Sequence, residues 1–276
     1  MQGKLKVFRK NKMFTILLLL AVGIGLVAVF APFIATHDPA EAILTDALKA
    51  PSKEHWFGTD KLGRDLFSRV IYGTRVSVSA SLILVAVIFV IGSILGILAG
   101  YFGGWVDTVI MRIADMMIAF PGMVLAIAVA GILGPSITNA VIAIALVSWT
   151  KYARLARSLV LKMKNCDYVA AARVTGSTTT HILVRYMFPN VTPTLVITAA
   201  TDIGSMMLEL AGLSFLGFGA RPPMAEWGLM LSEGRAYMQN APWMMIFPGL
   251  AILIVVVIFN LLGDSLRDVL DPRDEE

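Results

Sequence analysis

Charge is scarce in this 276-residue sequence: 15% of the residues are Asp, Glu, Lys or Arg, against about 25% in ordinary soluble domains. Cysteine is nearly absent. The single Cys166 excludes an internal disulfide and a cysteine metal site. The three histidines, His37, His55 and His181, stand far apart with no metal-ligand spacing, so each is read as structural or superficial, and no metal or cofactor is expected. Motifs of chemistry are missing too. Without GxxxxGK[ST] the chain has no phosphate cradle, and it has neither HExxH nor GxSxG. No Ser/His/Asp set follows from spacing. No catalytic centre is expected, and any uphill work must draw on an ion gradient or on another protein.

What the sequence has is apolar material, at 57%. That excludes a disordered chain and exceeds what a soluble domain of this size needs. It fits an all-α integral membrane protein with room for about six spans. The net charge of +4 reflects inner loops rather than nucleic-acid binding.

Lys4, Lys6, Arg9, Lys10 and Lys12 precede an apolar run over residues 13–35. The run exceeds a signal-peptide h-region of about 7–15 residues, so an uncleaved first span with an inner N-terminus is expected. A polar outer loop follows at 36–75. Further spans are expected at about 76–99, from near Pro121 to Gly134, at 137–156, at 191–216 and at 243–262. Arg112 and Asp115, three apart on a helix entering the third span, are expected to pair. Lys and Arg concentrate in the segments this topology places inside, and both termini come out cytoplasmic. The division is residues 1–75, with the first span and outer loop, and a five-helix core at 76–276.

Gly92, Gly96 and Gly100 form a small-residue groove along the second span. It serves packing within the chain or against a second subunit. Thr194, Thr198, Thr201, Asp202, Ser205 and Glu209 recur at helical spacing and cover an arc of roughly 100° on the fifth span. A carboxylate at mid-membrane costs about 2.5–3.5 kcal/mol on insertion scales, so this stripe is expected to avoid lipid. It lines a translocation path in one reading. For Glu209 a structural role across the bundle stands equally beside it.

Between the fourth and fifth spans, at about 157–190, lies a polar, basic segment. DYVAAARVTG (residues 167–176) has an acidic start, three alanines of high helix propensity, and Gly176 placed to end a short helix. A second helical stretch from about Thr178 is expected to stop before Pro189. The pair either enters a groove on another protein or lies on the bilayer. In the outer loop, Thr59 and Asp60 suit a helix cap, Gly63 a turn, and Arg64 and Asp65 a pair.

The segment from Tyr168 to Gly176, with Pro189 and Asn190 beyond it, resembles the EAA loop of permease subunits in binding-protein-dependent ABC importers. The family's Glu is absent, and Ala170 stands in its place. HWFGTDKLGRDLFSR (55–69), MRIADMMIAFPG (111–122), GLSFLGFG (212–219), EWGLML (226–231) and GDSLRDVLDPR (263–273) resemble further blocks of the C-type subunit of dipeptide, oligopeptide and nickel importers. Ala225 replaces a proline that often precedes the EWG block. The resemblance implies a type I ABC importer permease fold of six spans in the bacterial inner membrane. It implies a related B-type permease partner, two cytoplasmic ATPases, an extracytoplasmic binding protein, and a peptide substrate or alternatively nickel or glutathione. It also implies that Tyr168, Ala171, Ala172, Arg173 and Gly176 dock on an ATPase. A gradient-driven carrier is the less favoured alternative.

Overall fold

The computed structural model describes residues 12–270. The basic start at Lys4, Lys6, Arg9 and Lys10, and the end of the GDSLRDVLDPR block from Asp271 onward, lie outside the described residues. Among the described residues there is no strand, only an isolated bridge between Thr59 and Asp65.

Ten α-helices follow one another among the described residues. They are α1 (Lys12–Ile34), α2 (Leu66–Phe102), α3 (Gly104–Ile118), α4 (Gly122–Leu133), α5 (Ile137–Met163), α6 (Asp167–Val174), α7 (Thr179–Ile182), α8 (Phe188–Phe215), α9 (Trp227–Gly234) and α10 (Trp243–Leu270). Among the described residues, four helical segments are long and apolar enough to cross a membrane: α1, α2, the continuous run Thr179–Phe215, and α10. The pair α3 and α4 meets the same test jointly but bends by 92° at Pro121, where a fifth span would be broken. The expected fourth span, α5, falls outside this apolar group. It is a single 27-residue helix whose C-terminal half carries Lys151, Arg154, Arg157 and Lys162.

Two of the boundaries that differ from expectation have a clear local cause. The second span begins ten residues early, at Leu66, because Asp65 accepts the Ser68 N–H at 2.8 Å and caps the helix. The stretch after Thr178 does not stop before Pro189. A π-helical turn, Leu183–Met187, carries it into α8. Proline lacks the N–H that would bond four residues back, and the wider turn absorbs that loss, so the chain stays helical.

Helix α5 runs along α2, and the glycine face sets their separation. A Cβ on Gly92 would lie 2.5 Å from the Trp149 carbonyl oxygen, one on Gly96 would collide with the Ala153 carbonyl, and one on Gly100 would lie 2.8 Å from Val160 Cβ. Bare backbone at these three positions lets the helices approach closely. The charged end of α3 is tied to α5. Arg157 grips Asp107 through Nε and Nη2, both at 2.5 Å. Asp115 meets Arg154 at 2.6 Å, not the Arg112 expected from spacing. One apolar core joins α2, α4, α5, α6 and α8, and a second joins α2, α8, α9 and α10.

Candidate functional site

Helix α6 is eight residues long, too short to stand alone. Its inner side supplies the anchor. Val169 and Ala172 are buried in the larger core beside Val160, Ile182 and Met187. Its outer side carries Ala170, Ala171, Arg173 and Val174, all exposed. Val174 is 88% exposed and Tyr168 42%. The Tyr168 ring lies 6.2 Å from that of Tyr186, whereas the Val174 side chain is left uncovered among the described residues.

The end of α6 is a Schellman turn. Gly176 N–H donates to the Arg173 carbonyl at 3.0 Å, and Ser177 N–H to the Ala172 carbonyl at 2.9 Å. Gly176 sits at φ +82°, where a side chain is strained. Its Cβ position opens into free space, so the need for glycine within this chain is conformational. Thr178 then caps α7 by accepting the His181 N–H at 3.3 Å. The Arg173 guanidinium lies 5.7 Å from the centre of the Tyr101 ring, and Lys164 Nζ lies 5.9 Å from it. This joins α6 to the end of α2.

The six polar positions of α8 do not share one environment. Thr194 and Ser205 are exposed, Thr198 and Thr201 are partly covered, Glu209 is half-buried and Asp202 is buried. Thr201 packs on Gly263 of α10, with its N 2.6 Å from where a Cβ would be. Asp202 turns toward α5. It accepts from Lys151 Nζ at 2.6 Å and from the Tyr152 hydroxyl at 2.9 Å. Lys151 carries its own signal in sequence, as a lysine inside an apolar helix.

The segment before α2 and the segment around α9 form one polar assembly. Arg64 binds Asp60 through Nε at 2.6 Å and Glu233 through Nη2 at 3.0 Å. Its partner is therefore Asp60 and not the adjacent Asp65. Arg69 reaches the Pro39 and Pro223 carbonyls and Glu233. Glu226 caps α9 by accepting from Gly228 N and Leu229 N at 2.9 and 2.8 Å. Burial pushes its carboxyl above the usual range, against those opposing hydrogen bonds. Trp227 Nε1 donates to the Val70 carbonyl at 3.0 Å, and its ring fills the space beside Gly73. Sequence blocks about 150 residues apart thus lock into one lid-like layer across α2, α9 and α10.

A bundle of long apolar helices with a small helix pair presented at one end defines the class, a multi-pass integral membrane protein. The comparisons give the family. Residues 92–274 match the binding-protein-dependent transport system inner membrane component. Residues 1–51 match the N-terminal TM domain of oligopeptide transport permease C. The chain belongs to this family of multi-pass inner-membrane permease subunits, which are non-catalytic components. It is 43% identical over 97% of its length, and 88% of the relative, to a dipeptide transport system permease protein of Alkalihalophilus pseudofirmus. It is 42% identical over 91% of its length, and 90% of the relative, to a nickel transport system permease protein of Escherichia coli. The fold is shared with a chain of the MetNI methionine ABC transporter in an inward facing conformation. That likeness has a TM-score of 0.60 at 17% identity and covers 75% of this chain and 98% of that one.

Proposed function

We propose that this chain is the C-type permease subunit of an ATP-driven importer that moves dipeptides or oligopeptides across a bacterial inner membrane. Its six spans are α1, α2, the broken pair α3 and α4, α5, the run through α8, and α10, with both termini cytoplasmic. Residues 1–75 form the first span and outer loop, and 76–276 form the core. A B-type permease completes the path, two ATPases meet the cytoplasmic loops, and a binding protein delivers substrate from outside. Nickel or glutathione is the alternative cargo, since a permease named for nickel is nearly as similar as one named for dipeptides.

The observation that carries this reading is the split character of α6. Val169 and Ala172 hold it to the core, while Ala171 and Val174 face outward with no partner. A helix so held transmits force as a rigid body. Tyr168, Ala171, Arg173 and Gly176 form or edge that docking surface, and buried Ala172 seats it. Thr194, Thr198, Ser205 and Glu209 supply the polar wall of the path, while Thr201 and Asp202 fix that wall to α10 and α5.

The test is reconstitution in liposomes with the partner permease, the two ATPases and the binding protein. ATP-dependent peptide uptake that Val174→Asp abolishes, without loss of the purified permease pair, is the expected result. Uptake by this chain alone, without ATPases, would support a gradient-driven carrier and overturn the proposal.

A further inference from the structure

The folded chain brings together two histidines that the sequence keeps apart. The rings of His37 and His55 have centroids 4.9 Å apart. His55 Nδ1 lies 2.9 Å, and His37 Nδ1 3.8 Å, from the same oxygen, Asp65 Oδ1. One ligand atom from each of the three residues falls within 4.8 Å of the others. In a tetrahedral zinc site with bonds of 2.0–2.1 Å, neighbouring ligand atoms are about 3.3 Å apart. The two distances to Asp65 bracket that value.

The surroundings hold these three groups in place. Asp65 Oδ2 is committed to the Ser68 N–H at 2.8 Å, which leaves Oδ1 facing the histidines. His37 N–H donates to Ser68 Oγ at 3.0 Å, which pins the His37 backbone to the first turn of α2. His55 is only 4% exposed, and its Nε2 is buried with no hydrogen-bond partner. The nearest acid to Nε2 is Asp46 Oδ2 at 3.8 Å, and Asp46 is itself held by Lys49 at 2.6 Å. A metal-bound imidazole commonly aims its other N–H at a carboxylate. Asp46 occupies that position. The His37 side chain is about a third exposed and borders an open recess lined by Thr36, Asp38, Pro39 and Tyr72. A cation there has an entry route and room for a water as fourth ligand. The present neighbour of His37 Nδ1 is Thr36 Oγ1 at 3.0 Å, a contact that a side-chain rotation releases.

We infer that His37, His55 and Asp65 form a site for a borderline divalent transition-metal ion of the zinc type, which staples the exit of α1 to the start of α2. Two imidazoles and one carboxylate suit such an ion and not calcium or magnesium, which prefer all-oxygen sets. A metal needs the ligating imidazole nitrogens free of protons, so binding weakens with falling pH.

The experiment uses the full chain with its partner permease in detergent micelles, stripped of metal by a chelator. It is titrated with Co²⁺ and then Zn²⁺. A saturable Co²⁺ absorption band that Zn²⁺ displaces is expected, together with Zn²⁺ binding at a Kd below about 100 µM. His37→Gln removes the most accessible ligand, leaves the Asp65 helix cap intact, and is expected to weaken binding at least about tenfold. His181→Gln, on a distant exposed residue, is expected to leave it unchanged. Absence of a saturable Zn²⁺ signal in the unaltered protein, or equal binding by His37→Gln, would overturn the site. The Co²⁺ band decides the question in the unaltered protein even where a variant fails to fold.

Discussion

The Arg173 guanidinium rests over the face of Tyr101, 5.7 Å from the ring centre. Arg173 belongs to the short helix proposed to meet the ATPase, and Tyr101 ends the long helix whose glycine face runs along α5. The contact therefore links the docking element to the bundle by a route other than the covalent chain.

A cation–π contact at a partly exposed site contributes about 0.5–1 kcal/mol, or roughly two- to fivefold in an equilibrium. Tyr101→Leu keeps the apolar bulk and removes the ring face. It is expected to lower the number of substrates moved per ATP by that factor while permease yield stays unchanged. Parallel assays of uptake and phosphate release check this. An unchanged ratio would place the contact outside the coupling.

Gly176 separates two effects that sequence alone merges. Its Cβ position is open within the chain, yet its φ is +82°. Asparagine tolerates that conformation better than most residues, whereas β-branched side chains do not. Gly176→Asn should retain most of the coupled uptake, and Gly176→Val should lose it, with a backbone cost of about 1–2 kcal/mol. Gly176→Asp should uncouple hydrolysis from uptake by placing a charge at the docking surface. Equal loss in all three would assign the glycine to bulk exclusion at the interface instead.

Gly96 makes a purely structural prediction. Any Cβ there meets the Ala153 backbone, which cannot turn aside as a side chain can. Overpacking typically costs about 1–3 kcal/mol, and Gly96→Ala should fall at the upper end. Gly25→Ala on α1, where nothing lies within 4 Å, should be neutral. Thermal unfolding of both variants in the same detergent makes the comparison.

The proposed path is open to thiol chemistry once the native cysteine is removed. In a Cys166→Ser background, Ser205→Cys and Thr198→Cys should react with a water-soluble reagent in at least one state of the transport cycle. Thr201→Cys, packed on Gly263, should react far more slowly. Complete protection of Ser205→Cys and Thr198→Cys in the assembled transporter would remove α8 from the path.

How much of this was legible in the sequence depended on the range of the interactions. Composition and apolar runs located the long helices because a membrane span is a local property. The glycine at the end of α6 was legible for the same reason, as a backbone conformation that one residue type supplies. The polar assembly around α9 was not. Asp65 was expected to pair with its neighbour Arg64 but caps a helix and faces two histidines, while Arg64 reaches Glu233 across the chain. Such pairings are decided by tertiary packing, which sequence spacing does not encode. In sequence Asp202 is one member of the polar stripe on the fifth span. Its hold on Lys151 and Tyr152 depends on α5 crossing behind α8, and only the packing reveals that.

The uninterrupted helix from Thr179 to Phe215 is 37 residues long. At 1.5 Å per residue that is about 55 Å, against a hydrocarbon thickness of about 30 Å. Nearly half of this rod has no lipid to cross and extends as a handle. Pivoted at mid-bilayer, such a lever turns a tilt of about 5° into a displacement of about 2.4 Å at each end, in opposite directions. On the proposed reading, a swing of the α6–α7 end therefore reaches the far end of the rod as a movement of comparable size in the opposite direction.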